Sequence, residues 1–75
     1  MSSMRQQKNI FSEKLVELRK EKGVSQQKAA WDLGIDPSTI AKYETGDRLP
    51  DIFTLSKIAD YFDVSCDYLL GRKEY

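Results

Sequence analysis

The stretch SQQKAAWDLGIDPSTIAKYETG, residues 25–46, reads as two short helices and the turn between them. Ser25 can cap the first, where Ala29, Ala30 and Leu33 form a narrow apolar face that stops at Gly34. Asp36 can cap the second, and Pro37 takes its first position, where a missing N–H costs nothing and φ is already helical. Gly46 is placed to end it. Between that cap and that stop only Ile40, Ala41 and Tyr43 suit a core, so most of this helix must face something other than its own protein. Only Gly34 and Ile35 separate the two apolar segments from the next cap. So tight a connection makes the helices cross steeply, with Gly34 supplying left-handed backbone and Ile35 plugging the core beneath.

Outward from this pair the same punctuation recurs. Asn9 can cap a helix in which Phe11, Leu15 and Leu18 recur at i, i+4 and i+7, with Val16 beside them and Gly23 at the end. After Pro50, Asp51 can cap a fourth helix with Ile52, Leu55, Ile58, Ala59 and Phe62 facing inward. Ser65 can cap a last short helix holding Tyr68, Leu69 and Leu70, stopped by Gly71. No alternating strand pattern occurs. The expected architecture is all-α, five helices in one small domain over residues 9–71, with a polar arm at 1–8 and a short tail at 72–75.

Seventy-five residues leave no room for a second domain. The chain has no histidine and a single cysteine, Cys66, which excludes an internal disulfide and a multi-thiolate metal site and removes the commonest general base. No nucleophile stands beside a base and no Gly-rich phosphate loop is present. An enzyme is not expected, nor any cofactor or metal. Mean hydropathy is −0.58, and no apolar run approaches the ~20 residues of a membrane span. The opening MSSMRQQKN lacks the apolar segment of a signal peptide. A cytoplasmic protein without membrane contact is the expectation.

Two short helices crossing at a tight turn form a helix-turn-helix, which pushes its second helix clear of the body to fit the major groove of DNA. The net charge of zero argues against a polyanion partner, but the charge is unevenly spread. Residues 1–24 carry six Lys/Arg against three Glu, whereas residues 49–75 carry three against five Asp/Glu. A positive and a negative end can orient a molecule on DNA. For the first helix alone, alternating Glu and Lys are better explained as a solvated face.

The run SQQKAAWDLGIDPSTIAKYETGDRLP, followed by DIFTLSKIADYFDVSCDYLLG, resembles the Xre family, which includes the phage lambda repressor and Cro. The resemblance extends from about Ile10 to Gly71. Its specificity lies in an ordered combination: Gln26 after a capping serine, Ala30, Leu33-Gly34, Ser38, Ile40, Tyr43-Glu44 with Gly46, Pro50, Leu55, Ile58-Ala59, and Asp67 to Gly71. It implies a five-helix domain that binds double-stranded operator DNA, usually as a homodimer, and regulates transcription. Two positions depart from the family pattern. Lys28 stands where Glu is common, which denies Ser25 a reciprocal capping partner. Ala29 replaces a usual Leu and leaves room that Trp31 or a neighbour would fill.

The resemblance assigns Gln26 to a phosphate, which its amide N–H can reach from the positive end of the second helix. On the third helix, Pro37, Ser38, Ala41 and Lys42 share a face. Ser38 can bond several base edges, Pro37 can lie against a thymine methyl, and Lys42 can reach guanine or simply neutralise a phosphate. Thr39 and Thr45 are candidates for hydroxyl contacts to the DNA backbone. Tyr43 is counted with the DNA-contacting set as well as with the core. Arg48 is either a phosphate contact or an ordinary loop charge beside Asp47. Arg19 and Glu44 match a pair that the family uses to aim the third helix.

Trp31 and Phe53 fit the core pattern poorly. Partial burial at the core margin is expected for Trp31, whereas Phe53 with Val64 and Tyr68 forms a candidate dimer interface. Two domains about one helical turn apart, ~34 Å, would read a palindrome. A rival reading keeps the fold but makes it an adaptor or antitoxin-like module with little DNA binding, using the acidic C-terminal half as its partner surface. Only GRKEY follows the fifth helix, so a free-standing regulator is expected rather than the DNA-binding part of a longer one. Without a sensor domain, induction would come from a regulatory protein partner, proteolysis or concentration.

Overall fold

A computed structural model of the chain describes residues 9–73, and the expected polar arm at 1–8 lies outside the described residues. Five helices follow in order: α1 (Ile10–Lys22), α2 (Gln26–Leu33), α3 (Pro37–Thr45), α4 (Ile52–Phe62) and α5 (Cys66–Leu69). Among the described residues there is no strand.

Each helix begins at a side-chain cap, and all five capping residues are those marked by the sequence: Asn9, Ser25, Asp36, Asp51 and Ser65. At α1 the cap is reciprocal. Asn9 Oδ1 accepts the Ser12 N–H at 2.8 Å, and Ser12 Oγ accepts the Asn9 N–H at 2.8 Å. The first four helices end on left-handed residues, glycine at α1, α2 and α3 but Asp63 at α4, with φ 58. An aspartate tolerates that region better than most residues with a Cβ.

The core gathers one face of every helix: Phe11, Leu15 and Leu18 from α1, Ala30 and Leu33 from α2, Ile40 and Tyr43 from α3, Ile58 and Ala59 from α4, and Leu69 from α5. Leu55, Phe62, Val64 and Tyr68 are half-buried and pack against this cluster. Ala29 is fully buried, which lets neighbouring backbone approach α2 closely. The short α5 closes one end of the molecule. At Gly71 (φ 79) a Cβ would stand 2.7 Å from Ile10 Cγ2, so the end of α5 sits directly on the start of α1.

Three residues expected in the core or at its margin are not there. Ile52 is 72% exposed. It is the first residue of α4, and a helical side chain leans toward the N-terminus, which carries this one past the end of the core. Trp31 is 82% exposed rather than half-buried at the margin, and it fills none of the space beside Ala29. Neither does Leu70 join the core: α5 ends before it, and it stands half-exposed.

Candidate nucleic-acid interface

Two helix starts frame the site. At α2, Ser25 Oγ accepts the Lys28 N–H at 3.0 Å, and Lys28 has no carboxylate with which to answer. At α3, Asp36 Oδ1 accepts the Ser38 N–H at 3.3 Å. The first-turn N–H groups that these caps leave over carry partial positive charge, which favours phosphate. Between the two starts Gly34 adopts φ 73 and ψ 31, donating its N–H to the Trp31 carbonyl while Ile35 donates to that of Ala30. This double closure ends α2 and redirects the chain within two residues.

Exposure along α3 follows its helical period. Pro37, Ser38, Lys42 and Thr45 are exposed, Thr39 and Ala41 half-buried, and Ile40 and Tyr43 buried. Arg48, in the loop after α3, is exposed. Pro37, Ser38 and Lys42 thus share an open face of the helix, whereas Ala41, expected with them, is half-buried. Tyr43 does not belong with them. Its ring lies in the core, edge-on to Phe11 with centroids 5.8 Å apart, so it offers no face to a nucleic acid. Burial pushes its hydroxyl above the ordinary tyrosine range; the charge of Asp51 adds to this and that of Arg48 opposes it. The Thr45 hydroxyl is also engaged locally, within 3.1 Å of the Lys42 carbonyl and 3.0 Å of Asp47 Oδ2. Its one proton is committed to closing α3.

Behind this face the Glu44 carboxylate joins three helices. Arg19 Nε donates to Glu44 Oε2 at 2.6 Å and Arg19 Nη2 to Oε1 at 3.2 Å, a fork-to-fork pair, while Nη1 donates to the Val24 carbonyl at 2.9 Å. Gln26 Nε2 donates to Glu44 Oε1 at 2.9 Å. The side chains of Arg19 and Glu44 are 14% and 7% exposed. The hydrogen bond to Glu44 raises the Arg19 pKa above its ordinary value; burial opposes the shift and the Glu44 charge adds to it. The Arg19–Glu44 pair was legible in the sequence, but the Gln26 bond was not. A carboxylate only accepts, so it fixes the amide nitrogen of Gln26 toward Glu44 and leaves the second N–H of that nitrogen for another acceptor.

A second polar cluster lies elsewhere on α2. Tyr61 donates to Asp32 Oδ2 at 2.6 Å, Lys28 Nζ lies 3.1 Å from Asp32 Oδ1, and Lys22 Nζ sits 5.0 Å from the centre of the Tyr61 ring. The Tyr61 bond, with help from Lys28, lowers the Asp32 pKa. Burial and Asp32 together push Tyr61 up to about 12.

The Phe53, Val64 and Tyr68 group does not present one uniform surface. Phe53 is 76% exposed, whereas Val64 and Tyr68 pack against the core and Lys14 Nζ covers the Tyr68 ring at 4.5 Å. Phe53 is instead flanked in sequence by exposed Leu49 and Ile52.

A helix-turn-helix family profile matches residues 15–69. The chain belongs to the Xre-like helix-turn-helix family. Among Xre-like relatives, the HTH-type transcriptional regulator AnsR of Bacillus subtilis is 50% identical over 62 residues, covering 83% of this chain and 53% of AnsR. The solved N-terminal DNA-binding domain of SinR from Bacillus subtilis is 30% identical with a TM-score of 0.78, covering 88% of this chain and 97% of that one. SinR in complex with DNA is 31% identical with a TM-score of 0.75, covering 80% and 97%. The chain spans about half the length of the curated relatives it matches. This Xre-like family is one of transcriptional regulators, and no helix among the described residues is long and apolar enough to cross a membrane.

Proposed function

We propose that the chain binds double-stranded DNA in a sequence-dependent manner, as a dimer on a palindromic operator, and represses transcription by occluding a promoter. Gln26 and the start of α2 take one phosphate. Pro37, Ser38 and Lys42 enter the major groove, with Thr39 and Arg48 on the flanking backbone. The observation that carries this reading is the three-helix junction at Glu44. It holds the Gln26 amide beside the first turn of α2 with one N–H to spare, where a phosphate would bind. The SinR domain, solved with DNA, supports the same use of the fold.

The dimer has a separate basis. One domain of this size covers only ~600–1,000 Å² on DNA, which limits the affinity of a single copy. Leu49, Ile52 and Phe53 place three large apolar side chains in water within five residues, a surface suited to self-association. Binding by such a chain involves no catalysis and no cofactor.

The test is a pull-down of random duplexes with sequencing of the bound fraction at ~150 mM salt, fixed because phosphate contacts weaken steeply with ionic strength. Enrichment of a palindrome with half-sites about one turn apart is the expected result. Binding without enrichment, or none, would favour the adaptor function, under which Gln26, Ser38, Lys42 and Arg48 are dispensable.

A further inference from the structure

The outer side of α2 carries a feature that the contacts above leave unused. Trp31 is 82% exposed, the largest exposure of any large apolar side chain among the described residues. With Ser25, Gln27, Lys28, Ile35 and Pro37 it lines an open groove of about 490 Å³. That groove meets the candidate DNA face at Pro37, which lines the one and belongs to the other. Ser25 immediately precedes Gln26, and Pro37 immediately precedes Ser38.

We infer that this groove seats the sugar–phosphate backbone of the duplex beside the groove that α3 enters, with Trp31 packed on a deoxyribose and Lys28 turned to the adjoining phosphate. The inference rests on the DNA-binding reading and extends its footprint. The chemistry of the lining matches that of the occupant. A DNA strand alternates an apolar sugar face with an anionic phosphate; the groove offers Trp31, Ile35 and Pro37 for the first, and Lys28, Gln27 and Ser25 for the second. An entirely apolar occupant would leave those polar groups unanswered. Lys28 lies 3.1 Å from Asp32 with its side chain 59% exposed, and Asp32 keeps the Tyr61 hydrogen bond when Lys28 swings away. Moving Lys28 therefore strands no carboxylate.

Trp31 is the one tryptophan in the sequence, so its emission reports on this groove alone when excited beyond the absorption of the four tyrosines. A duplex enriched in the pull-down is titrated against the full chain, with emission read in parallel with the anisotropy of labelled duplex. Contact predicts a change in Trp31 emission that saturates with binding. Trp31→Ala should bind about five- to tenfold more weakly, as expected for losing ~50 Å² of buried ring surface. Trp31→Phe should restore most of the affinity. The slope of affinity against salt should stay as in wild type, because no phosphate charge is lost. Since Trp31 touches so little of the protein, the variants fold, and unchanged thermal melts verify it. Wild-type binding with unaltered emission, or with Trp31→Ala as tight as wild type, overturns the inference and leaves the DNA-binding reading standing. An emission change seen only when a second protein is added to the duplex also overturns it. If the wild-type chain binds no duplex at all, the DNA-binding reading fails and takes this inference with it.

Discussion

Two polar clusters tie helices together in this domain, one enclosed and one open. Arg19, Glu44 and Gln26 join α1, α2 and α3 through a carboxylate that is almost out of reach of water. Lys22, Lys28, Asp32 and Tyr61 join α1, α2 and α4 through a carboxylate at the surface. Both contain cations, an acid and a neutral donor, yet they have different physical weight. Water screens the open cluster and competes for its bonds, so its worth is small and falls with salt. The enclosed cluster has no such substitute for a lost partner, and it stands behind the face that would meet DNA.

The largest expected effect comes from breaking the enclosed cluster on one side. Glu44→Ala leaves Arg19 with only the Val24 carbonyl and takes the acceptor from Gln26. A loss of about 3 kcal/mol is expected, which a melt would read as roughly 10–20 °C. A change of a degree or two would show that the carboxylate is not the keystone. Replacing both charges, as in Arg19→Met with Glu44→Leu, should recover more than half of that loss by leaving no lone buried charge. A double variant less stable than Glu44→Ala would point to packing rather than charge.

Gln26→Ala sharpens the comparison from the functional side. It should cost about 1 kcal/mol of stability but about tenfold in duplex affinity, with the salt dependence unchanged because the amide carries no charge. Equal affinity for variant and wild type would detach Gln26 from phosphate.

The open cluster should respond least. Tyr61→Phe is expected to lower the melting temperature by a few degrees or less, and less still at high salt. Its pH signature is distinctive. Tyr61 is raised from 10.0 to about 12, so the folded state favours the neutral phenol. The contribution is whole below pH 10 and is lost as pH climbs through about 12. The gap between wild type and Tyr61→Phe should close over that alkaline range, and a constant gap would mean that the Asp32 bond is not its source. The lowered Asp32 pKa has the opposite sense: its contribution is present above the ordinary carboxylate pKa and fades in acid as Asp32 protonates.

The sequence revealed these features unevenly. Every N-terminal cap was legible, because such a cap is a contract between residues two or three apart and leaves its mark locally; the Asp63 that ends α4 was not. The turn at Gly34 was legible for the same reason. The resemblance carried the Arg19–Glu44 pair across 25 positions of chain. Nothing comparable signalled Gln26 to Glu44 or Tyr61 to Asp32, since both bonds depend on how helices cross. Serine at position 12 serves as the capping partner of Asn9 where Glu or Gln would have announced the role. Tyr43 misled because an aromatic bearing a hydroxyl suits a core as well as a nucleic acid; only packing against Phe11 decides. Ile52 and Trp31 misled because hydrophobicity states what a residue would gain by burial, not whether anything lies over it.

The contact between Gly71 and Ile10 makes the described domain a loop nearly closed on itself. The last turn of the described chain thus packs on its first helix, and the two ends of the fold share one contact. A donor and an acceptor dye attached just outside these two residues would be brought together by folding and parted by unfolding. For the same reason a short peptide could join them and the chain be opened elsewhere, with the order of the helices permuted around an unchanged core.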